Sequence, residues 1–217
     1  MRQPSIIVLI IMLFLLGFNN PCYSVIRAKI NYSIPIDYSK LSESELVDEA
    51  EQYFLLSEVK NKNGEIPEST SKALLLYTIL SNKNPDKFDY VVKLGALYDK
   101  VDKDSLAKKC FTKAIGIDNS NPQTYYYLGR FYHRREMLKR AMHYYNQAYS
   151  KGLTQKYQLL YYMGDIYEKL GDTRSALKYL NEAKSINNNP EIEEKISRVI
   201  KQDEINYEYY SDTRIRK

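Results

Sequence analysis

From residue 88 onward the apolar positions of the chain fall three and four apart, the spacing of a helix with one face turned inward. Ala141, Tyr145 and Ala148 stand at i, i+4 and i+7, and Leu128, Tyr132 and Arg135 trace a second stripe in the same way. The breaks between stripes carry helix punctuation. Asn121-Pro122 places a capping residue before a proline at the first helical position, and Asn189-Pro190 repeats the arrangement with Glu191, Glu193 and Glu194 in the turn that follows. Asp118-Asn119-Ser120 and Asn187-Asn188-Asn189 are polar breakers, and Gly171-Asp172 marks a turn between two helical stretches. The pattern predicts helices joined in pairs by short turns.

The pairs repeat. Leu94-Gly95, Leu128-Gly129 and Met163-Gly164 recur 34 and 35 residues apart, followed each time by a tyrosine: Tyr98, Tyr132, Tyr167. Ala107, Ala141 and Ala176 keep step, as do Phe111, Tyr145 and Leu180, and then Ala114, Ala148 and Ala183. Two antiparallel helices approach closely where facing residues are small, while large residues on the same stripe fill the space to the next pair. The glycines permit that approach from the first helix and the alanines from the second.

This order of residues at this period resembles the tetratricopeptide-repeat (TPR) family over residues 88–189. The resemblance implies an all-α fold: a right-handed TPR superhelix, or α-solenoid, of about four helix hairpins plus a C-terminal capping helix. Repeats are expected at 88–121, 122–156 and 157–189. A degenerate repeat is expected at 41–87, where Ala73, Tyr77 and Leu80 continue the second-helix pattern and Ser42-Glu43-Ser44-Glu45 reads as a capping box opening the first helix. An inserted loop falls around Asn61 to Ser69, with Gly64 and Pro67. Ile192, Ile196, Val199 and Ile200 form a single apolar stripe, which predicts the capping helix at 190–205 and a flexible tail at 206–217.

The first forty residues follow other rules. Arg2 precedes an apolar run from Ile6 to Phe18, and Cys22-Tyr23-Ser24 fits a signal-peptidase site, so residues 1–24 are expected to be a signal peptide cleaved after Ser24. The run is short against the roughly 20 residues a bilayer needs, so a retained membrane anchor is the weaker alternative. Asn20 and Pro21 stand where a lipobox has small residues, which argues against lipidation of Cys22. Residues 26–38 alternate apolar and polar side chains, predicting an extended arm at 25–40. Such an arm can lie against the first hairpin or offer a strand to a partner's sheet edge; Pro35, which lacks a backbone donor, favours the former.

Composition adds constraints. The 217 residues suit one sizeable core. Arg2 is the only charged side chain in the leader, so its removal lowers the formal charge from +5 to +4. Both signs are interspersed, unlike the concentrated basic face of a nucleic-acid binder, and no nucleic-acid partner is expected. Cys110 is the single cysteine after residue 24, which excludes an intrachain disulfide framework and suits a small buried thiol. The chain has no glycine-rich phosphate loop, nucleophile elbow or zinc-binding His-Glu-x-x-His helix. His133 and His143 fall on different helices with no cysteine nearby. No enzyme activity, metal or cofactor is expected.

In the TPR family the concave groove is lined mainly by first helices. Carried onto this chain, the lining is Tyr126, Arg130, His133 and Arg134, then Tyr161, Asp165, Glu168 and Lys169, with Val92, Ala96, Asp99 and Lys100 in the preceding repeat. Tyr126, Arg130, His133, Arg134, Tyr161, Asp165 and Glu168 are the expected partner-binding residues, because aromatics and arginine supply most contact energy at protein interfaces. Against this, Tyr125 to Tyr127 are consecutive, so at least one packs inside, and Arg130 with Arg134 could form a solvated stripe paired with Asp165 or Glu168. One TPR sub-family clamps a partner's C-terminal carboxylate with lysine and asparagine in this groove. Here Val92, Ala96 and Tyr126 occupy most of those places, so that function does not carry over. The expected function is a non-catalytic interaction scaffold outside the cytoplasm that binds a protein or peptide. The alternative is a structural component of an envelope secretion or pilus-type machine.

Overall fold

The computed structural model describes residues 38–59 and 61–215. Among them are nine α-helices: α1 (Glu43–Leu55), α2 (Glu68–Lys83), α3 (Phe88–Lys100), α4 (Asp104–Ile117), α5 (Pro122–His133), α6 (Leu138–Ser150), α7 (Tyr157–Lys169), α8 (Thr173–Ile186) and α9 (Pro190–Ile215). The leader and nearly all of the expected arm lie outside the described residues. Of the arm, Tyr38–Lys40 is described, and it forms a 3-10 turn rather than extended chain. The helices fall into two compact units that divide between Asn119 and Ser120.

The first unit holds α1 to α4. Ser42 caps α1 as its sequence suggests: the Glu45 backbone N–H donates to Ser42 Oγ at 3.3 Å, and Ser42 N–H donates to Glu45 Oε2 at 2.8 Å. The connection to α2 runs from Leu56 to Pro67, so the insertion begins earlier than Asn61, and Ser69 is already helical. Thr70 ties that loop down by donating to the Glu58 carbonyl at 2.8 Å and accepting from its N–H at 2.9 Å. In the next hairpin, α3 and α4 meet at Gly95. A Cβ there would stand 2.8 Å from the Phe111 ring.

The second unit holds α5 to α9. Asn121 Oδ1 accepts from Gln123 N–H at 3.0 Å with Pro122 at the first helical position, and Asn189 Oδ1 accepts from Ile192 N–H at 3.0 Å. The approach of α5 to α6 is tighter than that of α3 to α4, because a Cβ on Gly129 would fall 2.2 Å from the Tyr145 ring. Arg135 lies beyond the end of α5 and folds back instead of extending its stripe, with its guanidinium 3.6 Å from the Phe131 ring centre and Nη1 donating to the Phe131 carbonyl. Ile192 and Val199 of α9 close the last hairpin against Leu160, Ala176, Leu180 and Ala183, with Ile196 at the margin and Ile200 exposed.

The tail expected from residue 206 is helical: α9 runs on to Ile215. Its distal part has no apolar stripe, but it has no glycine or proline to stop a helix either. No described helix is long and apolar enough to cross a membrane.

Candidate functional site

The second unit contains a cavity of about 240 Å³ lined by Arg130, His133, Arg134, Glu136, Tyr145 and Tyr162. Helix α5 supplies Tyr126, Arg130 and His133 one turn apart, so that they stack along one face. The turn after α5 supplies Arg134 and Glu136, and Glu136 holds a left-handed backbone at φ 55°. Helix α6 supplies Tyr145 and α7 supplies Tyr162. The rings of Tyr145 and Tyr162 stack 6.0 Å apart at 11°, and His133 meets both edge-on, at 6.1 and 5.4 Å.

Two cations flank Tyr126, which is buried. The Arg130 guanidinium lies 5.9 Å from its ring centre and the Lys156 ammonium 4.7 Å. Both cations are half-buried, and among the described residues neither has a carboxylate within ion-pair distance. Burial and the neighbouring Arg130 charge hold the Lys156 ammonium below the ordinary lysine range. Burial raises the Tyr126 and Tyr145 phenols, although Arg130 acts on both in the other direction. The Tyr145 hydroxyl is fully buried and has no hydrogen-bond partner.

Asp165 and Glu168 are engaged with cations other than Arg130. Asp165 accepts from Lys195 at 2.5 Å, and its other oxygen lies 3.2 Å from both His133 Nε2 and Lys169 Nζ. Burial opposes its charge, but the hydrogen bonds from His133, Lys195 and Lys169 prevail and hold the carboxyl well below its usual range. Glu168 pairs with the same Lys195 and sits 3.5 Å from Arg198 Nε. Lys195 is only 5% exposed, a burial that these two carboxylates offset.

The seven expected partner-binding residues therefore separate. Arg130, His133 and Arg134 line the cavity, Tyr126 is buried and not part of its lining, and Asp165 and Glu168 anchor α9. Tyr161 is half-buried, and desolvation together with Glu191 pushes its phenol up to about 12. Among the described residues Arg130 has no ion pair with Asp165 or Glu168. In the first unit Val92, Ala96 and Asp99 are buried, and Lys100 donates to the Ser57 carbonyl at 2.6 Å.

Sequence reasoning left out Glu136, Tyr145 and Tyr162 as lining residues. In the sequence Tyr145 reads as packing, yet the same position in the neighbouring hairpins is Phe111 and Leu180, and that substitution pattern is the available signal. Among the described residues no group of three or more His, Cys, Asp or Glu is arranged to hold a metal.

The helix pairs, their period and their glycine contacts define an all-α helical-repeat solenoid. Residues 88–121 and 157–190 match the tetratricopeptide repeat model, so the chain carries TPR repeats, and the two matched segments flank the hairpin that bears the cavity. No curated protein matches the chain. Among solved structures it is similar to YrrB, described as a TPR protein with an unusual peptide-binding site, at 25% identity and TM-score 0.54, over 62% of this chain and 70% of that one. It is also similar in fold to TTC0263, a thermophilic TPR protein of Thermus thermophilus, at 17% identity and TM-score 0.58 over 73% and 81% of the two chains. Pseudomonas aeruginosa pilF shares the fold at 15% identity and TM-score 0.58, over 74% and 71%.

Proposed function

We propose that this protein is a non-catalytic interaction scaffold that acts outside the cytoplasm and holds a peptide or protein segment against the cavity face of α5. TPR proteins bind peptides or proteins, and YrrB, with its unusual peptide-binding site, is similar to this chain. The observation that carries the reading is the cavity itself: the aromatic walls of Tyr145 and Tyr162 beside Arg130 and His133, on helices of the repeat array. Export rests on the apolar run from Ile6 to Phe18 and the small residues that follow it.

The reading has two tests. Binding of the chain from residue 25 onward to an array of random peptides should be strong for a subset and lost in the Arg130→Glu/Arg134→Glu variant; unchanged binding would remove the groove from the proposal. Mass spectrometry of the native protein should find Val25 at its N-terminus, whereas an intact Met1 would contradict cleavage. The alternation at residues 26–38 favours a second reading, in which an N-terminal strand joins a partner in an envelope secretion or pilus-type assembly. Deleting residues 25–38 separates the two, since only the second loses its partner while the helical signal stays intact.

A further inference from the structure

Among the described residues of the first unit, the large exposed apolar side chains gather where α1 ends and the inserted loop begins. Leu55 is 80% exposed, Leu56 65% and Val59 46%. The backbone that carries them is tied down. Ser69 Oγ donates to the Leu56 carbonyl at 3.0 Å, Lys100 Nζ donates to the Ser57 carbonyl at 2.6 Å, and Thr70 holds both backbone groups of Glu58. A loose loop can turn its leucines inward, but a pinned one cannot. These hydrogen bonds fix an apolar patch in place, and such a patch calls for a cover.

Two independent features identify the cover. The first is where the described chain begins. Tyr38, its first residue, is half-buried and its hydroxyl donates to Glu49 at 3.3 Å, seven residues along α1 from the cap at Ser42. Seven helical residues rise about 10 Å, so the chain enters α1 from beside the helix and not from beyond its start. Leu56 stands another seven residues further along the same helix. The preceding segment, residues 26–37, spans up to about 40 Å if extended, and the patch is well within that reach.

The second feature is the pattern of that segment. Ile30, Tyr32, Ile34 and Ile36 fall at every second position with polar side chains between them, which gives an extended chain one apolar face. A lone strand with such a face needs a surface to lie on. Pro35 lacks a backbone donor, which suits packing through side chains better than pairing in a sheet. An apolar face without a surface therefore precedes an apolar patch without a cover, on the same helix.

We propose that the N-terminal arm docks on its own first hairpin, laying Tyr32, Ile34 and Ile36 over Leu55, Leu56 and Val59. Docking of the arm goes beyond the groove reading and is independent of it. The arm then covers apolar surface of the first hairpin as Ile192 and Val199 of α9 cover that of the last. A partner that takes the arm as an added strand has first to displace it from this patch.

The test is photo-crosslinking of the full chain carrying Leu56→p-benzoylphenylalanine, in a mixture of isotope-labelled and unlabelled chains, with the linked peptides identified by mass spectrometry. The expected product joins position 56 to residues 26–37 of the same chain. Links between two chains would assign the patch to a second copy and overturn the proposal, and so would irradiation that leaves the arm unlinked. A second measurement needs no probe in the patch. Chymotrypsin cleavage after Tyr32 should run about tenfold faster in Leu55→Glu/Leu56→Glu than in the native chain, the release expected when burial equal to about one leucine side chain is lost. Both side chains point to solvent in the described hairpin, so helical circular dichroism should stay unchanged. Equal cleavage rates would overturn the docking. None of these outcomes bears on the groove, whose own test is peptide binding by the Arg130→Glu/Arg134→Glu variant.

Discussion

Tyr77 in the first unit and Tyr145 in the second do the same packing work in their hairpins, and their hydroxyls meet opposite fates. Tyr77 donates to Glu51, which also pairs with Lys93, so the polar group is absorbed into the first unit's own ion pairs. Around Tyr145, Lys195 of α9 draws Asp165 and Glu168 to itself, and the Tyr145 hydroxyl is buried without a partner. One repeat backbone thus supports a tyrosine hydroxyl tied into an ion pair in one region and an unsatisfied one in the other. The packing residues specify the fold, and what their polar atoms find nearby decides whether a hairpin is only structural.

The largest break in the comparison should come from the shared backbone contact. Gly129→Ala drives a Cβ into the Tyr145 ring and should cost about 3 kcal/mol, partly offset by alanine's better helix propensity, whereas Gly95→Ala, with more room against Phe111, should cost about 1 kcal/mol. Urea unfolding of the two variants measures the difference; equal costs would show that the α5–α6 approach is no tighter than the α3–α4 approach.

Next in size is the α9 anchor. Lys195→Met should destabilise the chain by about 3 kcal/mol by leaving Asp165 and Glu168 short of a buried partner. Asp165 also sets a pH dependence. Its folded carboxyl titrates below the unfolded value of about 4, so its contribution is complete above that pH and is lost as pH falls toward the folded value. Acid unfolding of Asp165→Asn should therefore be flatter below pH about 4 than that of the native chain.

The smallest effects bear on the tyrosines themselves. Tyr77→Phe should cost about 1 kcal/mol, while Tyr145→Phe should be neutral or stabilising by up to about 1 kcal/mol, because only the first hydroxyl has a partner to lose. Parallel thermal melts check the sign.

Much of the fold was legible in residue order. The Leu-Gly and Ala spacings gave the hairpins, and Ser42, Asn121 and Asn189 marked helix starts that the backbone uses. Those signals are local, acting within one turn or one hairpin. Pairing across 30 residues is not local, so nothing in the sequence told that Lys195 would claim Asp165 and Glu168. Helix α9 passes its expected end because a lost apolar stripe removes packing without breaking a helix. Arg130, His133 and Arg134 were placed by the resemblance, but Tyr145 was hidden by its own packing role until the hydroxyl could be seen without an acceptor.

The most direct test is a crystal structure of the chain with a short peptide that it binds. The account predicts a peptide seated against the cavity lined by Arg130, His133, Tyr145 and Tyr162. A peptide seated away from that cavity would contradict it.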